Sequence, residues 1–492
     1  MNLGDMLRHS AARVPSKPAL VCEDTVVSYA ELDRSTDALA AWLLQQGLNE
    51  GDRVAIHWRN SIETVQLYFA CFKAGLIAVP VNNRLKSAEI GYILRHSRAK
   101  LCFSQPDLAP LAEEARPLCP DLREILNSLP DLSAAPETPL PKVSPEKIAA
   151  ILYTSGTTAN PKGVMHTHVS LTGATELMTH LGVTENDVLL TVTQMLHVAA
   201  LGCVLLPGIR SGATVVLLPL FDPPAALDLI ERWGCSYFLA LPAILRFMVE
   251  EQVQRPRKVD TMRLCLVGGD TVPVAMQDRF RELFGIPVRE LFGMTESVPV
   301  TCIPDGESRP GSMGSALEIL ETRVADGNGN LVSLGEIGEL QVQSPANCVG
   351  YWEDSQNTAG AFLNGWLRTG DLVRRDEDGY FWFHGRLKQI IVRGGSNISP
   401  QEIEEALYQH PAVLESGVIG MPDPVYGEKV IAFVAPRDGH QISEAAMREF
   451  LRERIAEYKV PERVFFIPSL PKGLTGKVQR RDLQGLAPLL VN

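Results

Sequence analysis

Short apolar segments alternate with amphipathic segments of helical length through most of this chain, and this alternation constrains the fold more than any other feature. Apolar runs such as DRVAIHW and RLCLVGGD are interspersed with segments such as PPAALDLIERWG and VAMQDRFRELFG, whose apolar residues recur with helical spacing. Apolar runs of roughly 5–7 residues between amphipathic helices are typical of strands buried in a parallel sheet. The sequence therefore predicts an α/β fold with layered, largely parallel sheets flanked by helices.

The chain of 492 residues is too long for a single hydrophobic core, so it should divide into at least two domains. Beyond Gly311 the pattern becomes β-like, with a hairpin predicted across GNGN. A new helix is expected where Ser399 would act as the cap, a proline follows and Glu402 stands at the third position. We therefore expect a large N-terminal domain with a β-rich subdomain over residues 1–385 and a small α+β domain over residues 386–492.

Composition and charge disfavour several classes of protein. The formal net charge of −12 argues against a general nucleic-acid binder. The nine cysteines are scattered without any C-x-x-C pair, which argues against a zinc site or a disulfide framework and fits a reducing compartment. No apolar run approaches the ~18 residues of a membrane-spanning helix, and the N-terminal segment lacks the apolar core of a secretory signal. We expect a cytoplasmic protein with neither a membrane span nor a nucleic-acid partner.

The segment YTSGTTANPKG, residues 153–163, follows the apolar run IAAIL and combines four serine and threonine hydroxyl groups with two glycines and one lysine. These groups together suit a polyphosphate, because glycine lets the backbone approach the anion closely. The segment is not a Walker A loop, since Lys162 precedes Gly163 instead of following a glycine, and the chain contains no G-x-G-x-x-G. P-loop NTPases and Rossmann dehydrogenases are therefore disfavoured, and a polar surface turn is the alternative to a phosphate site.

Five segments together resemble the signature motifs of the adenylate-forming superfamily, which includes acyl-CoA synthetases, luciferase-like enzymes and the adenylation domains of peptide synthetases. Besides YTSGTTANPKGVMHTH, they are FGMTES (Phe292–Ser297), GWLRTGDL (Gly365–Leu372), GRLKQIIVRGGSNISPQEIE (Gly385–Glu404) and PKGLTGKVQRRDL (Pro471–Leu483). The motifs follow the order typical of that superfamily and span nearly the whole chain. The resemblance implies its two-domain fold, in which the small C-terminal domain is mobile.

The resemblance also implies a two-step reaction. A carboxylate attacks the α-phosphorus of ATP and releases pyrophosphate, and the thiol of CoA then attacks the acyl-adenylate and releases AMP. ATP, CoA and a small carboxylic acid are then substrates, and Mg²⁺ offsets the charge of the phosphates. An amine or a carrier-protein thiol in place of CoA remains an alternative acceptor. The sequence does not distinguish a monomer from a homodimer.

A second alternative, from another class, is a non-catalytic nucleotide-binding or regulatory protein built on the same scaffold. A degenerate relative would be free to lose its charged catalytic residues. This alternative is disfavoured because the chain retains four of them, namely Lys162, Glu296, Asp371 and Lys477.

Several residues are expected, by resemblance to the superfamily, to contact ATP. Glu296 would bind Mg²⁺ and Thr295 would reach the α-phosphate, with a helix-start cap as the alternative for this pair. Asp371 would accept both ribose hydroxyls, unless it is only a surface-turn residue. Phe292 replaces the tyrosine common in the superfamily, and its ring would still stack on adenine. The full expected nucleotide-binding set is Thr154, Ser155, Gly156, Thr157, Thr158, Lys162, Gly269, Asp270, Phe292, Gly293, Asp371 and Arg386.

The C-terminal motifs are expected to serve the two half-reactions in turn. Lys477 would lie between the attacking carboxylate and the α-phosphate, where its ammonium group offsets both charges; the alternative is a solvated lysine near the chain end. The small domain would pivot at Lys388 and present Arg393, Gly394 and Gly395 to the pantetheine arm of CoA. The alternative for the two glycines is a tight turn.

The segment QMLHVAA aligns with the acyl pocket and gate of the superfamily. The expected pocket residues are Leu196, His197, Val198 and Val298, and His197 would contact the acid or gate its entry unless it is a packed histidine. The segment lacks the aspartate with which peptide-synthetase adenylation domains bind an α-amino group. We therefore expect an apolar acid, either fatty, aryl or cyclic. The pocket alone does not specify which, because one methylene changes binding by only ~1–3 kcal/mol.

Overall fold

The structure is a computed structural model that describes residues 1–132, 139–154, 161–269, 272–393, 396–440, 442–473 and 478–491. The chain forms two compact units. The first comprises Met1–Thr322 and Val342–Leu367, and the second comprises Arg323–Gln341 and Arg368–Asn492. The domain boundary expected at residue 385 stays a prediction; residues 323–341 and 368–385 belong to the second unit here.

The α-helices are defined by the following bounds. In chain order they are α1 Leu3–Arg13, α2 Tyr29–Gln45, α3 Ile62–Ala74, α4 Ser87–Ser97, α5 Ala109–Ala115, α6 His168–His180, α7 Val198–Ala200, α8 Leu206–Ser211, α9 Pro223–Trp233, α10 Pro242–Gln254, α11 Val274–Phe284, α12 Ser355–Ala361, α13 Pro400–Tyr408, α14 Glu444–Arg452 and α15 Arg480–Val491. Short 3-10 turns lie at Arg116–Leu118, Leu387–Gln389 and Glu457–Lys459, and a π-helical turn spans Leu201–Leu205.

The strands are defined in the same way. In chain order they are β1 Pro18–Cys22, β2 Thr25–Ser28, β3 Arg53–His57, β4 Ile77–Pro80, β5 Leu101–Ser104, β6 Glu124–Leu126, β7 Ile148–Thr154, β8 Lys162–Thr167, β9 Val188–Thr191, β10 Thr214–Leu217, β11 Tyr237–Ala240, β12 Leu264–Gly268, β13 Val288–Met294, β14 Ser297–Cys302, β15 Ser312–Ala316, β16 Glu321–Ala325, β17 Ile337–Gln343, β18 Gly350–Tyr351, β19 Phe362–Leu363, β20 Trp366–Arg375, β21 Tyr380–Arg386, β22 Ile391–Arg393, β23 Ser396–Ile398, β24 Val413–Asp423, β25 Gly427–Pro436 and β26 Arg463–Phe466.

The first unit is built on two sheets with parallel centres. One has the strand order β15-β14-β13-β12-β11-β9-β10-β1-β2, and its pairs from β13 to β1 are all parallel. The other has the order β18-β8-β7-β4-β3-β5-β6, with parallel pairs from β7 to β6 and antiparallel pairs at the β8 edge. Large apolar clusters pack on these sheets, including the fully buried Tyr68, Phe69 and Phe72 of α3. The predicted α/β fold class is confirmed.

Local sequence signals explain where individual helices begin and end. Asp222 caps α9, since its carboxylate accepts a hydrogen bond from the Ala225 amide at 2.9 Å, and proline occupies the first helical position. The helix ends at Gly234, whose φ of 63° is a left-handed conformation that glycine adopts without steric cost. Apolar residues of the intervening turns, such as Leu227 and Ile230, are fully buried. The amphipathic pattern therefore predicts both the helix and its buried face.

The second unit contains the four-stranded order β16-β17-β20-β21 and a smaller sheet of order β23-β22-β25-β24, with β26 parallel to β25. Helix α13 begins at Pro400 as predicted, but Ser399 makes no side-chain cap, and among the described residues its buried hydroxyl has no hydrogen-bond partner. The hairpin expected across GNGN is reduced to one isolated bridge between Ala325 and Leu331, while the sheet partner of β16 is β17.

Helix α6 approaches the segment before β18 closely. A Cβ atom at Gly173 would lie 2.5 Å from the carbonyl oxygen of Pro345, a backbone atom that cannot move aside easily.

Among the described residues, no helix is both long enough and apolar enough to cross a membrane. All nine cysteines are free, and eight of them are buried.

Gly173→Ala is expected to lower the free energy of unfolding by about 1–3 kcal/mol, because the added methyl group overlaps the Pro345 backbone. Chemical denaturation monitored by fluorescence measures the loss. The matched control is Gly360→Ala in α12, where a Cβ would meet no atom within 4 Å and stability should be unchanged or slightly higher. Equal stability of both variants would show that α6 does not constrain residue 345.

Candidate active site

Thr295 and Glu296 form the turn of the hairpin between β13 and β14. Met294 pairs with Ser297 across this hairpin, so the two residues between them make the connection. Both side chains are half-buried. The pair therefore occupies a hairpin turn and not the start of a helix, which was the alternative that the sequence left open.

Tyr351 contacts two of the predicted site residues at once. Its hydroxyl donates a hydrogen bond to Glu296 Oε1 over 2.7 Å. The ammonium nitrogen of Lys162 lies 4.9 Å from the centroid of the same ring, within the range of a cation–π contact. The structure thus brings Lys162 and Glu296 together around one tyrosine. Sequence reasoning missed Tyr351, whose local signal is no more than an aromatic pair after a glycine.

The backbone around Tyr351 joins the acidic turn to the start of β8. Strand β18 pairs antiparallel with β8, with Gly350 opposite Met165. The Trp352 amide donates to the Gly163 carbonyl at 2.8 Å, and the Cys348 amide donates to the Glu296 carbonyl at 2.7 Å. Residues 348–352 therefore link the Glu296 turn to the strand that begins at Lys162.

His166 holds the backbone carbonyl of Thr295, the first residue of the turn. Its Nε2 lies 2.7 Å from the Thr295 carbonyl oxygen, and its Nδ1 lies 3.0 Å from Ser170 Oγ. Burial lowers the pKa of His166 to about 4, so the ring is neutral near pH 7. Because a carbonyl oxygen only accepts hydrogen bonds, the single proton of the neutral ring belongs on Nε2. His166 is a second residue that sequence reasoning missed.

The residues predicted on the adenine side lie at the ends of neighbouring strands. Gly269 directly follows β12 and has a φ of 91°, which favours glycine. Phe292 and Gly293 lie in β13, the parallel neighbour of β12, and Phe292 is half-buried. A Cβ at Gly293 would lie 2.5 Å from a methyl carbon of Val298, so glycine permits close packing there. Thr154 ends β7 directly opposite Lys162.

Asn60 anchors the segment that precedes the expected acyl pocket. Its amide nitrogen donates to the carbonyl oxygens of Thr193 at 2.9 Å and Leu218 at 3.1 Å, and its Oδ1 accepts from the Met195 amide at 2.8 Å. The side chain is only 3% exposed. A buried amide with three satisfied bonds holds residues 193–195 in place. Asn60 is a third residue that the sequence patterns did not indicate.

The expected pocket residues cluster at the start of a distorted helix. Helix α7, the π-helical turn and α8 follow one another from residue 198 to 211, and π-helical turns are frequent at functional sites. A Cβ at Gly202 would lie 3.7 Å from Val198 Cγ2 and 3.9 Å from Val298 Cγ1. The structure therefore brings Val198 and Val298 together around Gly202. Leu196, two residues earlier, is half-buried.

His197 stands at the N-cap position of α7 and is half-buried. Burial is the main cause that lowers the pKa of His197 to about 4, and the positive charge of Arg84 adds to this shift. The imidazole is therefore neutral near pH 7 and would contact a ligand as a hydrogen-bonding group without charge.

Asp371 lies in the second unit and is fully buried in β20, opposite Arg386 in β21. Its Oδ1 is 2.8 Å from Nε of Arg386. Asp371 is therefore a strand residue with a charged partner, and not the surface-turn aspartate of the alternative interpretation.

The part of β20 that precedes Asp371 is held by buried Glu339 in β17. Glu339 accepts hydrogen bonds from the Gly370 amide at 3.1 Å and from Nε of Arg368 at 2.7 Å. The Thr369 hydroxyl donates to the Leu340 carbonyl at 2.8 Å. These contacts fix the backbone that presents Asp371, and Glu339 is a fourth residue missed from sequence.

Arg393 in β22 is held within the second unit. Its guanidinium lies 2.7 Å from a Glu462 carboxylate oxygen and 5.3 Å from the centroid of the Tyr426 ring. Lys388 lies in the 3-10 turn that follows β21, and its side chain is outside the described residues. The other predicted site residues outside the described residues are Ser155, Gly156, Thr157, Thr158, Asp270, Gly394, Gly395 and Lys477.

The described residues contain no group of three or more histidine, cysteine or acidic side chains that could hold a metal ion alone. Mg²⁺, however, usually binds through one or two carboxylates together with substrate phosphates and waters. Glu296, a single half-buried carboxylate that shares its contact to Tyr351 with the Lys162 ammonium group, fits that requirement.

Comparisons with known proteins identify the family of this chain. The family model for AMP-binding enzymes matches residues 7–352, and the model for the C-terminal domain of AMP-binding enzymes matches residues 402–477. A sulfoacetate–CoA ligase of Cupriavidus necator is 34% identical, with 98% of this chain and 97% of the relative covered. The fatty acid–[acyl-carrier-protein] ligase ScoC of Streptomyces coeruleorubidus is 33% identical, with 96% and 94% covered.

Solved structures give the same result. The crystal structure of the anthranilate CoA ligase AuaEII in complex with anthranoyl-AMP superposes with a TM-score of 0.90 at 30% identity. The match covers 100% of this chain and 98% of that one. The similarity therefore extends over both units and all five sequence motifs.

His166→Gln is expected to reduce the loss of stability at acid pH. The pKa of His166 is about 4 in the folded chain and near 6.5 when unfolded, so unfolding takes up a proton between these values. Stability present above pH 6.5 is therefore lost as pH falls toward 4. Urea midpoints measured across this window should fall less steeply in the variant, while exposed His9→Gln serves as the matched control. Parallel midpoint curves for wild type and His166→Gln would contradict a neutral His166.

Proposed function

The chain belongs to the family of AMP-binding enzymes, and from this premise we propose that it is an ATP-dependent acid:CoA ligase that forms AMP. Relatives of similar length and solved structures of CoA ligases support this activity. The observation that carries the proposal is the convergence of Lys162 and Glu296 on Tyr351, because an ammonium group and a carboxylate at one place suit a magnesium-bound phosphate chain.

In the first half-reaction a carboxylate oxygen of the acid forms a bond to the α-phosphorus of ATP, and the bond to pyrophosphate breaks. Negative charge accumulates on the phosphoryl oxygens, so donors and cations that are already oriented lower the barrier. Lys162 would neutralise the outgoing phosphates, and Thr295 would donate a hydrogen bond to the α-phosphate. Bound Mg²⁺ would supply charge neutralisation at Glu296.

Other residues would orient the nucleotide. Phe292 would stack on adenine, beside the turn at Gly269. Asp371, held by Arg386, would accept hydrogen bonds from the ribose hydroxyls, which is a role that an ionised carboxylate fills well. Lys477, the predicted catalytic lysine, would offset the charge on the attacking carboxylate.

In the second half-reaction the CoA sulfur forms a bond to the acyl carbon, and AMP leaves. The pivot at Lys388 and the tunnel at Arg393, Gly394 and Gly395 would serve this step by the family resemblance. A carrier-protein thiol is the second candidate acceptor, and the similarity to ScoC over 96% of this chain supports testing it. We place the enzyme in the cytoplasm, where nine free thiols would remain reduced.

The acid substrate is proposed to be apolar. Val198 and Val298 meet around Gly202, and the neighbouring His197 is a neutral imidazole. A pocket lined by these residues would favour a fatty, aryl or cyclic acid, because their side chains carry no charge near pH 7. This differs from the sulfonate-bearing substrate named for the Cupriavidus necator relative.

Product analysis is expected to identify the acid and its acceptor. Purified enzyme with ATP and Mg²⁺ should release AMP in step with a new acyl-thioester when CoA and an apolar acid are present. A carrier protein and free amines replace CoA in parallel reactions. Thioester formation with sulfoacetate but with none of the apolar acids would overturn the proposed substrate class, and product formation with amines alone would overturn the proposed acceptor.

Gly202→Leu is expected to exclude bulky acids while sparing ATP binding, because its side chain would extend from a position whose Cβ lies within 4 Å of Ala174, Val198 and Val298. The kcat/KM for the best acid should fall about 10–200-fold for each methylene group of that acid that no longer fits the pocket. The kcat/KM for small acids should fall less. Gly360→Ala, whose Cβ would meet no atom within 4 Å, is the control. An unchanged order of acid preference would remove Gly202 from the pocket.

Lys477→Ala is expected to separate the two half-reactions. Adenylate formation should fall by at least about 10²–10³-fold, the range for loss of one group that stabilises transition-state charge. Thioester formation from supplied acyl-adenylate should largely survive. The matched control is Lys472→Ala, since Lys472 is a lysine of the same motif that pairs with Glu415. Equal losses in both half-reactions would refute the assigned role of Lys477.

A further inference from the structure

We propose that Tyr351 is a positioning residue for the first half-reaction, which orients the Glu296 carboxylate for magnesium-bound phosphates and the Lys162 ammonium group for the same phosphate chain. This inference rests on the proposed function. Its basis is the pair of contacts on one side chain, the 2.7 Å hydrogen bond from the phenol to Glu296 Oε1 and the ring contact with Lys162 at 4.9 Å.

The phenol would orient the Glu296 carboxylate toward a bound metal. A carboxylate has no proton to donate, so the tyrosine hydroxyl is the donor and Oε1 is the acceptor. The carboxylate keeps further lone pairs with which it would bind Mg²⁺. Removal of a group that orients a metal ligand in this way typically changes the metal affinity or the activity of the protein.

The ring positions Lys162 by a different interaction. The face of an aromatic ring carries partial negative charge and attracts an ammonium group without neutralising it. Lys162 at the start of β8 is thereby held against the same ring whose hydroxyl bonds to Glu296. Tyr351 therefore contacts the Glu296 carboxylate through its hydroxyl and the Lys162 ammonium group through the face of its ring.

The main chain holds Tyr351 firmly enough for this role. Its amide donates to the Thr358 hydroxyl at 2.9 Å, and that hydroxyl donates to the Asp354 carbonyl at 2.7 Å. Gly350 before it has a φ of 136°, and a Cβ there would lie 2.5 Å from a Thr358 methyl carbon. With the pairing to β8, these contacts fix the backbone from which the ring projects.

Substitutions separate the two contacts. Tyr351→Phe removes the hydroxyl and keeps the ring, whereas Tyr351→Leu removes both. We expect Tyr351→Phe to bind the magnesium complex of a non-hydrolysable ATP analogue about 10–100-fold more weakly than wild type. Calorimetry in the absence of the acid substrate measures this affinity. The Mg²⁺ concentration for half-maximal adenylation should rise, while thioester formation from supplied acyl-adenylate should be unchanged. Tyr351→Leu should in addition raise the KM for ATP at saturating Mg²⁺.

A double-mutant cycle tests whether Tyr351 acts through Glu296. If it does, Tyr351→Phe should change Mg²⁺-dependent binding by less than about twofold when Glu296→Gln is already present, since coupled residues are not additive. The control is Tyr29→Phe, which removes a buried hydroxyl bonded to the Ala213 carbonyl at 2.6 Å, far along the chain from the Glu296 turn. It should lower stability without changing metal dependence.

The outcomes distinguish this inference from the proposed function. Additive losses in the cycle, or a Tyr351→Phe variant that binds magnesium and the ATP analogue like wild type, would overturn the positioning role. Loss of both half-reactions together with a lowered melting temperature would assign Tyr351 to folding alone. A wild-type chain that binds magnesium and nucleotide but activates none of the acids would refute the proposed function and leave the binding result for Tyr351 intact.

Discussion

The pairing of β18 with β8 brings a cation and a carboxylate to the same aromatic ring. Strand β8 begins at Lys162 and β18 ends at Tyr351, while the backbone just before β18 bonds to the Glu296 carbonyl. The two groups contact different parts of Tyr351, the ring face and the hydroxyl. In the proposed function, this arrangement would suit a ligand that carries both negative charge and a metal ion.

Buried polar side chains fix the backbone at each segment that presents a functional group. His166 holds the Thr295 carbonyl, Asn60 holds the segment before His197, and Glu339 holds the strand residues before Asp371. A buried polar group without a partner is costly, so such networks favour one backbone conformation. Orientation of this kind matters in phosphoryl transfer, where positioning and electrostatics dominate over covalent participation by the protein.

The sequence predicts the local elements well because their signals are local. The cap at Asp222, the amphipathic pattern of α9 and the apolar runs of the central strands each lie within one segment. Distortions inside a segment have no comparable local signal in the sequence. A π-helical turn separates α7 from α8, and Ser399 makes no cap although it stands at the predicted position.

The site was predicted only where it follows linear motifs. The residues that orient it act over long separations in the chain: Tyr351 reaches Glu296 across 55 residues, and Asn60 reaches Met195 across 135. No periodicity or spacing in a single sequence records such pairs. The roles of Tyr351 and His166 follow from tertiary contacts, because the fold places the β8 edge of the sheet next to the Glu296 turn.

In the proposed function, this site activates a carboxylic acid by joining it to AMP before any acceptor is present. Isotope exchange between labelled pyrophosphate and ATP, measured without CoA, reports the reversal of this first half-reaction directly. We expect exchange that requires both Mg²⁺ and an acid and that is lost in Glu296→Gln. Exchange at the same rate without any acid, or no exchange across a broad acid panel despite ATP binding, would refute activation by adenylation.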